Sequence, residues 1–413
     1  MASRLNRKDA ICGPQFASRS TASGGNPFLS GSPVRGDQFG DRSAETAFLA
    51  RRMRRGQNVF VMSPRRFGKT SLLLRAGEEA RRAGGRVAVA NLFYCASRRE
   101  VAEQLTRSVI DGALGWLQGS VEEVKERLGR LPGVSPSIEH GGWKIALSVS
   151  RAGDDFAQAI RRPVELLAEA ARRGLPVALV IDEFQQVVDI DDGLSGVFKA
   201  ISDDLPEVSL VFAGSRRHVM QRLFVGRGAP LQNAAEMLSL GVIEETEMVS
   251  FLRARASRSG RTMTLGAALV AYRLMRGIPH FVQLLASSAF DRDVEPIDDL
   301  VVKQALVDVL SRQHGELAIR YESLNSTQRR LIRALAGHPT RHLDAREFLE
   351  RMGLAKSSAH RAREGLDEVE HIIHDERIGW RVADPIFELW VQHGLELDLG
   401  EQLDPALLWG GRL

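Results

Sequence analysis

The chain has 413 residues, 44% hydrophobic and 26% charged, the composition of a globular protein with enough apolar content for two or three domains. A net charge of only +4, no apolar run of membrane-span length, and two cysteines in unrelated contexts, Cys12 and Cys95, exclude a membrane-spanning chain, a disulfide scaffold and a cysteine-built zinc site as expectations. The charged start Met1-Ala2-Ser3-Arg4-Leu5-Asn6-Arg7-Lys8 has no apolar segment behind it, so no secretory signal and a cytoplasmic location are expected.

Residues 1–30, rich in Ser, Gly, Arg and Asn, read as a disordered tail, with order beginning near Asn26-Pro27-Phe28. From Ala44 to Met53 the apolar spacing suits a helix. Charge is uneven: residues 1–100 carry 19 Lys/Arg against 7 Asp/Glu, a surplus of +12, which leaves −8 for the rest of the chain. Arg51-Arg52-Met53-Arg54-Arg55 belongs to that surplus. It reads either as a solvated helix face or as a contact for an anionic partner, nucleic acid included.

Next, Asn58-Val59-Phe60-Val61-Met62-Ser63-Pro64-Arg65-Arg66-Phe67-Gly68-Lys69-Thr70-Ser71-Leu72-Leu73-Leu74 runs strand, loop, helix, the layout of a phosphate-binding loop. Backbone amides of the loop and a helix N-terminus would face anionic phosphates, and Gly68 lets the backbone come close. Lys69 would bring charge to the β- and γ-phosphates, and the Thr70 hydroxyl would be a ligand of Mg²⁺. Ser63 stands where the pattern expects its first glycine.

The helix is expected from Thr70 to about Ala83, stopping at Gly84-Gly85, with a second buried strand from Arg86 to Phe93 and a helix from Ser97 to Ile110. Val134 to Ser150 carries Gly141-Gly142 between alternating stretches, with Ile145, Leu147 and Val149 on one face, and reads as an inserted hairpin. A helix from Asp155 to Arg173 leads to Pro176-Val177-Ala178-Leu179-Val180-Ile181-Asp182-Glu183, a buried strand ending in two carboxylates. Asp182 would hold the Mg²⁺ shell, and Glu183 would orient and deprotonate the attacking water. A further strand, Ser209 to Ala213, ends in Gly214-Ser215-Arg216, which places Ser215 and Arg216 to reach a γ-phosphate.

From Glu244 to about Arg320 the pattern is helical, broken at Arg276-Gly277-Ile278-Pro279-His280. Helices over 326–336, 344–352 and 356–369, then two short strands in Ile372 to Val382, give the order of a winged helix. Its third helix shows Lys356, His360, Arg361 and Arg363 early, which suits DNA. Glu364, Asp367, Glu368 and Glu370 follow at once and would repel it.

Together, Asn26-Pro27-Phe28, the Phe39-to-Glu45 segment, Ser63 to Leu72, Asp182-Glu183-Phe184-Gln185, Phe212 to Arg216, Gly277-Ile278-Pro279 and Asp384-Pro385-Ile386-Phe387 resemble the archaeal-type ATPases of the STAND group, relatives of AAA+ and origin-recognition ATPases. The resemblance covers residues 26–393 and includes Ser-Pro-Arg-Arg in the phosphate loop. It implies an α/β P-loop ATPase domain over 31–243 with an additional-strand, AAA+-like parallel sheet and a hairpin insertion at about 133–150. In that sheet the Gly214-Ser215 strand lies between the two Walker strands. A helical lid over 244–322, a winged helix over 323–395 and a tail over 396–413 complete the chain. It also implies ATP and Mg²⁺ as cofactors, Ser63 to Ser71 around the phosphates, Phe39 and Arg42 on the adenine side, Pro279 closing from the lid, and Arg216 as sensor. Many relatives carry Gly-Arg-Glu where this chain has Gly40-Asp41-Arg42-Ser43. Three functions stay open: an ATP-hydrolysing switch with protein partners and possible oligomers, a DNA-binding regulator or loader, and a nucleotide-binding scaffold with little turnover.

Overall fold

The computed structural model describes residues 25–28, 31, 42–113, 134–139, 142–147 and 156–393. Phe39, Val149, most of the expected N-terminal tail and the tail after 395 lie outside the described residues.

Helix α1 (Ser43–Arg54) leads into β1 (Val59–Met62), α2 (Lys69–Arg82), β2 (Arg86–Asn91) and α3 (Arg98–Ala113). The hairpin β3 (Val134–Glu139) and β4 (Gly142–Leu147) pairs antiparallel, and α4 (Phe156–Arg172) follows. Then come β5 (Val177–Asp182), the short α5 (Gln186–Ile190), α6 (Gly193–Asp204), β6 (Val208–Gly214), α7 (Arg217–Phe224) and β7 (Glu236–Ser239). The main sheet is parallel with the order β2-β5-β6-β1-β7, so β6 separates β1 from β5.

Each central strand is buried on both faces, and alternate residues serve different layers, as the period of two requires. Phe60, Met62, Leu179, Ile181, Leu210 and Phe212 meet the layer of α3, α4, α6 and α7. Val59, Val61, Ala178, Val180, Val211 and Ala213 meet α1 and α2. In the first layer Phe184, Phe198, Phe212 and Phe224 pack ring against ring with centroid separations from 4.7 to 6.2 Å.

The helical region contains α8 (Glu245–Arg258), α9 (Leu265–Leu274), α10 (Pro279–Asp291) and α11 (Asp299–Glu322). Local signals set their starts: Thr264 caps α9 by accepting from the Ala267 amide, Asp298 caps α11 through Val301, and Pro279 opens α10. After these come α12 (Ser326–Gly337), α13 (Arg346–Met352), α14 (Lys356–Glu368), the antiparallel pair β8 (Ile372–Asp375) and β9 (Gly379–Val382), and α15 (Pro385–His393). Asn325 and Gln328 form a reciprocal capping box at α12.

One apolar core runs unbroken from Met248 through Leu306 and Leu335 to Phe387 and Trp390, so the helical region and the three-helix-and-hairpin unit share it across residue 322. The short N-terminal segment joins the same body. Phe28 is buried in that core, Asn26 Nδ2 donates to Ser287 O at 2.9 Å and Asp291 Oδ1 at 2.7 Å, and Arg255 donates to Pro27 O at 2.6 Å. Residues 26–28 are therefore fixed to α8 and α10. No helix among the described residues is long and apolar enough to cross a membrane.

Candidate functional site

Between β1 and α2 the chain turns through Ser63–Gly68. Gly68 is the N-cap of α2 in the left-handed region, with φ 85° and ψ 18°, where a side chain would be strained. The helix has no acidic residue in its first turn and no side-chain cap, so its orphan amides and positive dipole end face outward at the loop. The loop is held from behind. The Ser63 amide donates to Gly214 O at 3.4 Å, and the buried Arg42 donates to Phe67 O at 3.1 Å and to Gly241 O at 2.7 Å while pairing with Glu45. These bonds make Arg42 a brace for the loop between β1 and α2, with burial lowering its pKa.

The carboxyl end of β5 lies opposite the start of α2. Thr70 Oγ1 donates to Asp182 Oδ2 at 2.7 Å, and Lys69 Nζ stands 3.3 Å from Asp182 Oδ1 and 2.9 Å from Glu183 Oε1. Both Lys69 and Asp182 are buried. The chain then reverses: Glu183 adopts φ 56°, Phe184 N donates to Ala213 O at 2.8 Å, and the Phe184 ring anchors the turn in the aromatic cluster. Ser215, buried at the tip of β6, donates from Oγ to Glu183 Oε2 at 3.3 Å, and Gln185 Nε2 donates to the same oxygen. Burial pushes the Glu183 carboxyl up, but the Lys69 charge and the hydrogen bonds from Lys69 and Gln185 outweigh it and hold the group below the ordinary carboxylate range.

Two carboxylates thus share one lysine, which leaves a surplus negative charge beside a hydroxyl. An oxygen-only, electron-rich set of this kind fits a hard divalent cation such as Mg²⁺, with Thr70 and Asp182 as its nearest protein oxygens.

The expected site residues gather unevenly. Lys69, Thr70, Asp182, Glu183 and Ser215 form one bonded cluster. Ser63, Pro64, Arg65, Arg66, Phe67 and Gly68 form the loop above it, and Ser71 is buried in the first turn of α2. Arg216 caps α7 without a side-chain bond to it and points its guanidinium at Asp189 of α5. Pro279 is buried at the start of α10, where the next residue, His280, donates its amide to Arg66 O at 3.3 Å and Phe281 lies under the Arg66 guanidinium at 4.8 Å.

The partners that the loop arginines find across the molecule were not assigned from sequence. Arg65 Nε pairs with Glu370 Oε2 at 2.5 Å; Arg66 and Arg320 both reach Asp384 Oδ2, at 2.6 and 3.0 Å. Asp384 Oδ1 caps α15 through the amides of Ile386 and Phe387. Behind this, Arg276 donates to Val382 O and Ala383 O and pairs with Glu388. Burial pushes His280, beside Arg66, and His371, beside Arg320, down to about 4, so both are neutral near pH 7. Burial raises the Glu370 carboxyl against the pull of Arg65, and Glu183 adds to the rise. No short-range signal marks these partners. Only the Asp384-Pro385 pair, a cap followed by a helix-opening proline, was visible as local chemistry.

Two cations of α14 are also engaged. Lys356 pairs with Asp344, Arg363 lies over the Trp380 ring at 5.2 Å, and Asp367 is in the field of His218 and Arg217 of the sheet domain.

No family model matches the chain, and no curated protein matches its sequence. Among solved structures, a Walker-type ATPase of Pyrococcus abyssi superposes with a TM-score of 0.61 at 17% identity, over 87% of this chain and 97% of that one. The ORC2 protein of Aeropyrum pernix, solved as ADPNP–ADP complexes, gives 0.48 at 12% identity over 86% and 94% of the two chains. The RuvB branch-migration motor of Thermotoga maritima gives 0.42 at 15% over 84% and 93%. With the strand order and the β1–loop–α2 unit, the first likeness establishes an α/β fold shared with that Walker-type ATPase, a parallel sheet with β6 between β1 and β5.

Proposed function

We propose that the chain binds ATP with Mg²⁺ and hydrolyses it slowly, as a STAND-type switch in which nucleotide state sets how the lid and winged helix lie on the sheet domain. The observation that carries this reading is the buried cluster joining Lys69 and Thr70 of the loop to Asp182 and Glu183. The Pyrococcus abyssi chain with the same fold is itself described as a Walker-type ATPase.

In this reading the loop amides and Lys69 take the β- and γ-phosphates, which draws Lys69 away from Glu183. Bound Mg²⁺, on the oxygens of Thr70 and Asp182, supplies neutralisation of the phosphate charge. Glu183 takes the proton of a water whose oxygen attacks the γ-phosphorus; the bond to the bridging oxygen breaks, and ADP and phosphate leave. Ser215 steadies Glu183, and Arg216 meets the γ-phosphate once it leaves Asp189.

The seam between the two bodies supports the switch. Arg65 and Arg66 stand in the loop that takes the phosphates in this reading and pair at the same time with Glu370 and Asp384, so occupancy of the loop bears on the contact. The same seam gives the intramolecular reading of the winged helix more support than DNA binding, because Arg363 of α14 is taken up over the Trp380 ring and Asp367 lies in the field of Arg217 and His218 of the sheet domain.

Calorimetry and phosphate release with ATP·Mg²⁺ test the ATPase reading; a parent chain that binds no nucleotide overturns it. Hydrogen exchange tests the switch, with faster exchange expected over residues 370–387 when ATP·Mg²⁺ is bound. An unchanged pattern would leave an ATPase without this output.

The seam also has a stability consequence. Asp384→Ala strands Arg66 and Arg320 and removes a helix cap, and should cost about 3 kcal/mol, the low end for breaking a buried pair because Arg66 is partly exposed. Urea unfolding measures it. A loss within the error of the method would mean that these pairs behave as surface ones.

A further inference from the structure

We infer that Gln185 is a positioning residue of the hydrolytic centre: its amide fixes one oxygen of Glu183 so that the other is offered to the attacking water. This rests on the reading of Glu183 as the base and goes beyond it by naming what holds the base in place.

The geometry carries the argument. Gln185 is 2% exposed, at the start of α5, and its Nε2 donates to Glu183 Oε2, which also accepts from Ser215 Oγ. Oε1 of Glu183 has a different partner, Lys69 Nζ at 2.9 Å. The two oxygens therefore face two environments: Oε2 a pair of fixed donors from the protein, Oε1 the one cation that the phosphates will claim. When Lys69 turns to phosphate, Oε1 is released and Oε2 is not. A carboxylate held by only one end keeps its direction when its counter-ion leaves, and direction is what a general base needs.

Three features maintain this arrangement. Glu183 is kept at φ 56°, a conformation costly for a residue of its type, by the bond from Phe184 N to Ala213 O and by the buried Phe184 ring. Gln185 Oε1 is buried without a partner, so the amide forgoes a hydrogen bond at one end while serving Glu183 at the other. Finally, a Cβ on residue 214 would lie 2.6 Å from Gln185 Oε1 and 2.5 Å from Met220 Sδ, so the glycine at the tip of β6 leaves the space that the amide fills.

Gln185→Leu keeps the bulk and removes the donor. It should lower kcat by about 10²-fold, the scale of a misdirected catalytic group, with ATP affinity within about twofold of the parent. Gly214→Ala, which pushes the amide aside without deleting it, should lower kcat in the same sense. The decisive measurement is the pair: in a Glu183→Gln background, Gln185→Leu should add little, because it acts through that carboxylate. Full additivity, or a loss of affinity equal to the loss of kcat, overturns the proposal.

A second readout needs no nucleotide and separates this inference from the ATPase reading. In a crystal structure of ligand-free Gln185→Leu, Glu183 should leave Ser215 and turn fully to Lys69. A carboxylate unmoved from its parent position overturns the positioning role, whether or not the chain hydrolyses ATP. A displaced carboxylate in a chain without turnover upholds the positioning and rejects only the reaction.

Discussion

Glu183→Gln should slow ATP turnover by at least ~10²-fold while nucleotide still binds, since a general base contributes about 10²–10⁴-fold. The amide keeps the size of the carboxylate, so the turn at φ 56° and the Phe184 anchor are preserved. Lys69 keeps Asp182 as a partner and remains available to phosphate. What disappears is the proton acceptor. Single-turnover phosphate release beside calorimetry separates the chemical step from binding, and hydrolysis equal to the parent's would leave the scaffold reading standing. Asp182→Asn should act differently: it removes the charge next to Thr70 Oγ1, so its loss should appear as a weakened Mg²⁺ dependence.

Lys69→Ala should reduce ATP affinity by about 10²-fold, since hydrogen bonds to charged groups are worth about 1.5–3 kcal/mol. Two further repulsions add to that loss, because Asp182 and Glu183 would face the phosphates with no cation between them. Sequence alone suggests that this lysine can be removed with little effect on the fold. Its burial between two carboxylates gives a different expectation. Removing it leaves uncompensated charge inside the protein, and the ligand-free variant should unfold at lower urea than the parent. Affinity by calorimetry and stability by urea titration must therefore both be measured. A variant that binds like the parent would sink the phosphate-loop assignment.

How much of this was legible in the sequence depended on the range of each interaction. β1, β5 and β6 announced themselves because strands buried on both faces are short unbroken apolar runs, and the turns after them carry Gly, Pro or paired acids. The helix starts at 326 and 356 were visible from apolar spacing, whereas the start at 299, capped by Asp298, lay inside a stretch read only as helical. The phosphate loop and the Asp182-Glu183 pair could be read for the same reason: each is a contiguous stretch whose chemistry is local.

The tertiary structure alone decided which distant side chains meet. Arg66 and Asp384 are 318 positions apart, and nothing near either names the other. The resemblance drew Arg42 toward the adenine side, whereas folding buries it behind Phe67 and Gly241, because its guanidinium satisfies two main-chain oxygens there. Residues 26–28 read in sequence as the place where order begins, but only the fold shows to what: a buried Phe28 and the Asn26 and Pro27 bonds fix them to helices more than 220 residues away. Gln185 stood in plain view beside Glu183, but its role depends on Gly214 and Ser215 at the tip of a neighbouring strand. Sequence determined the elements and named the candidate site residues, since those follow from short-range sterics, periodic burial and contiguous chemistry. The restraints on those residues, and the seam between sheet and helices, depend on how the two bodies pack.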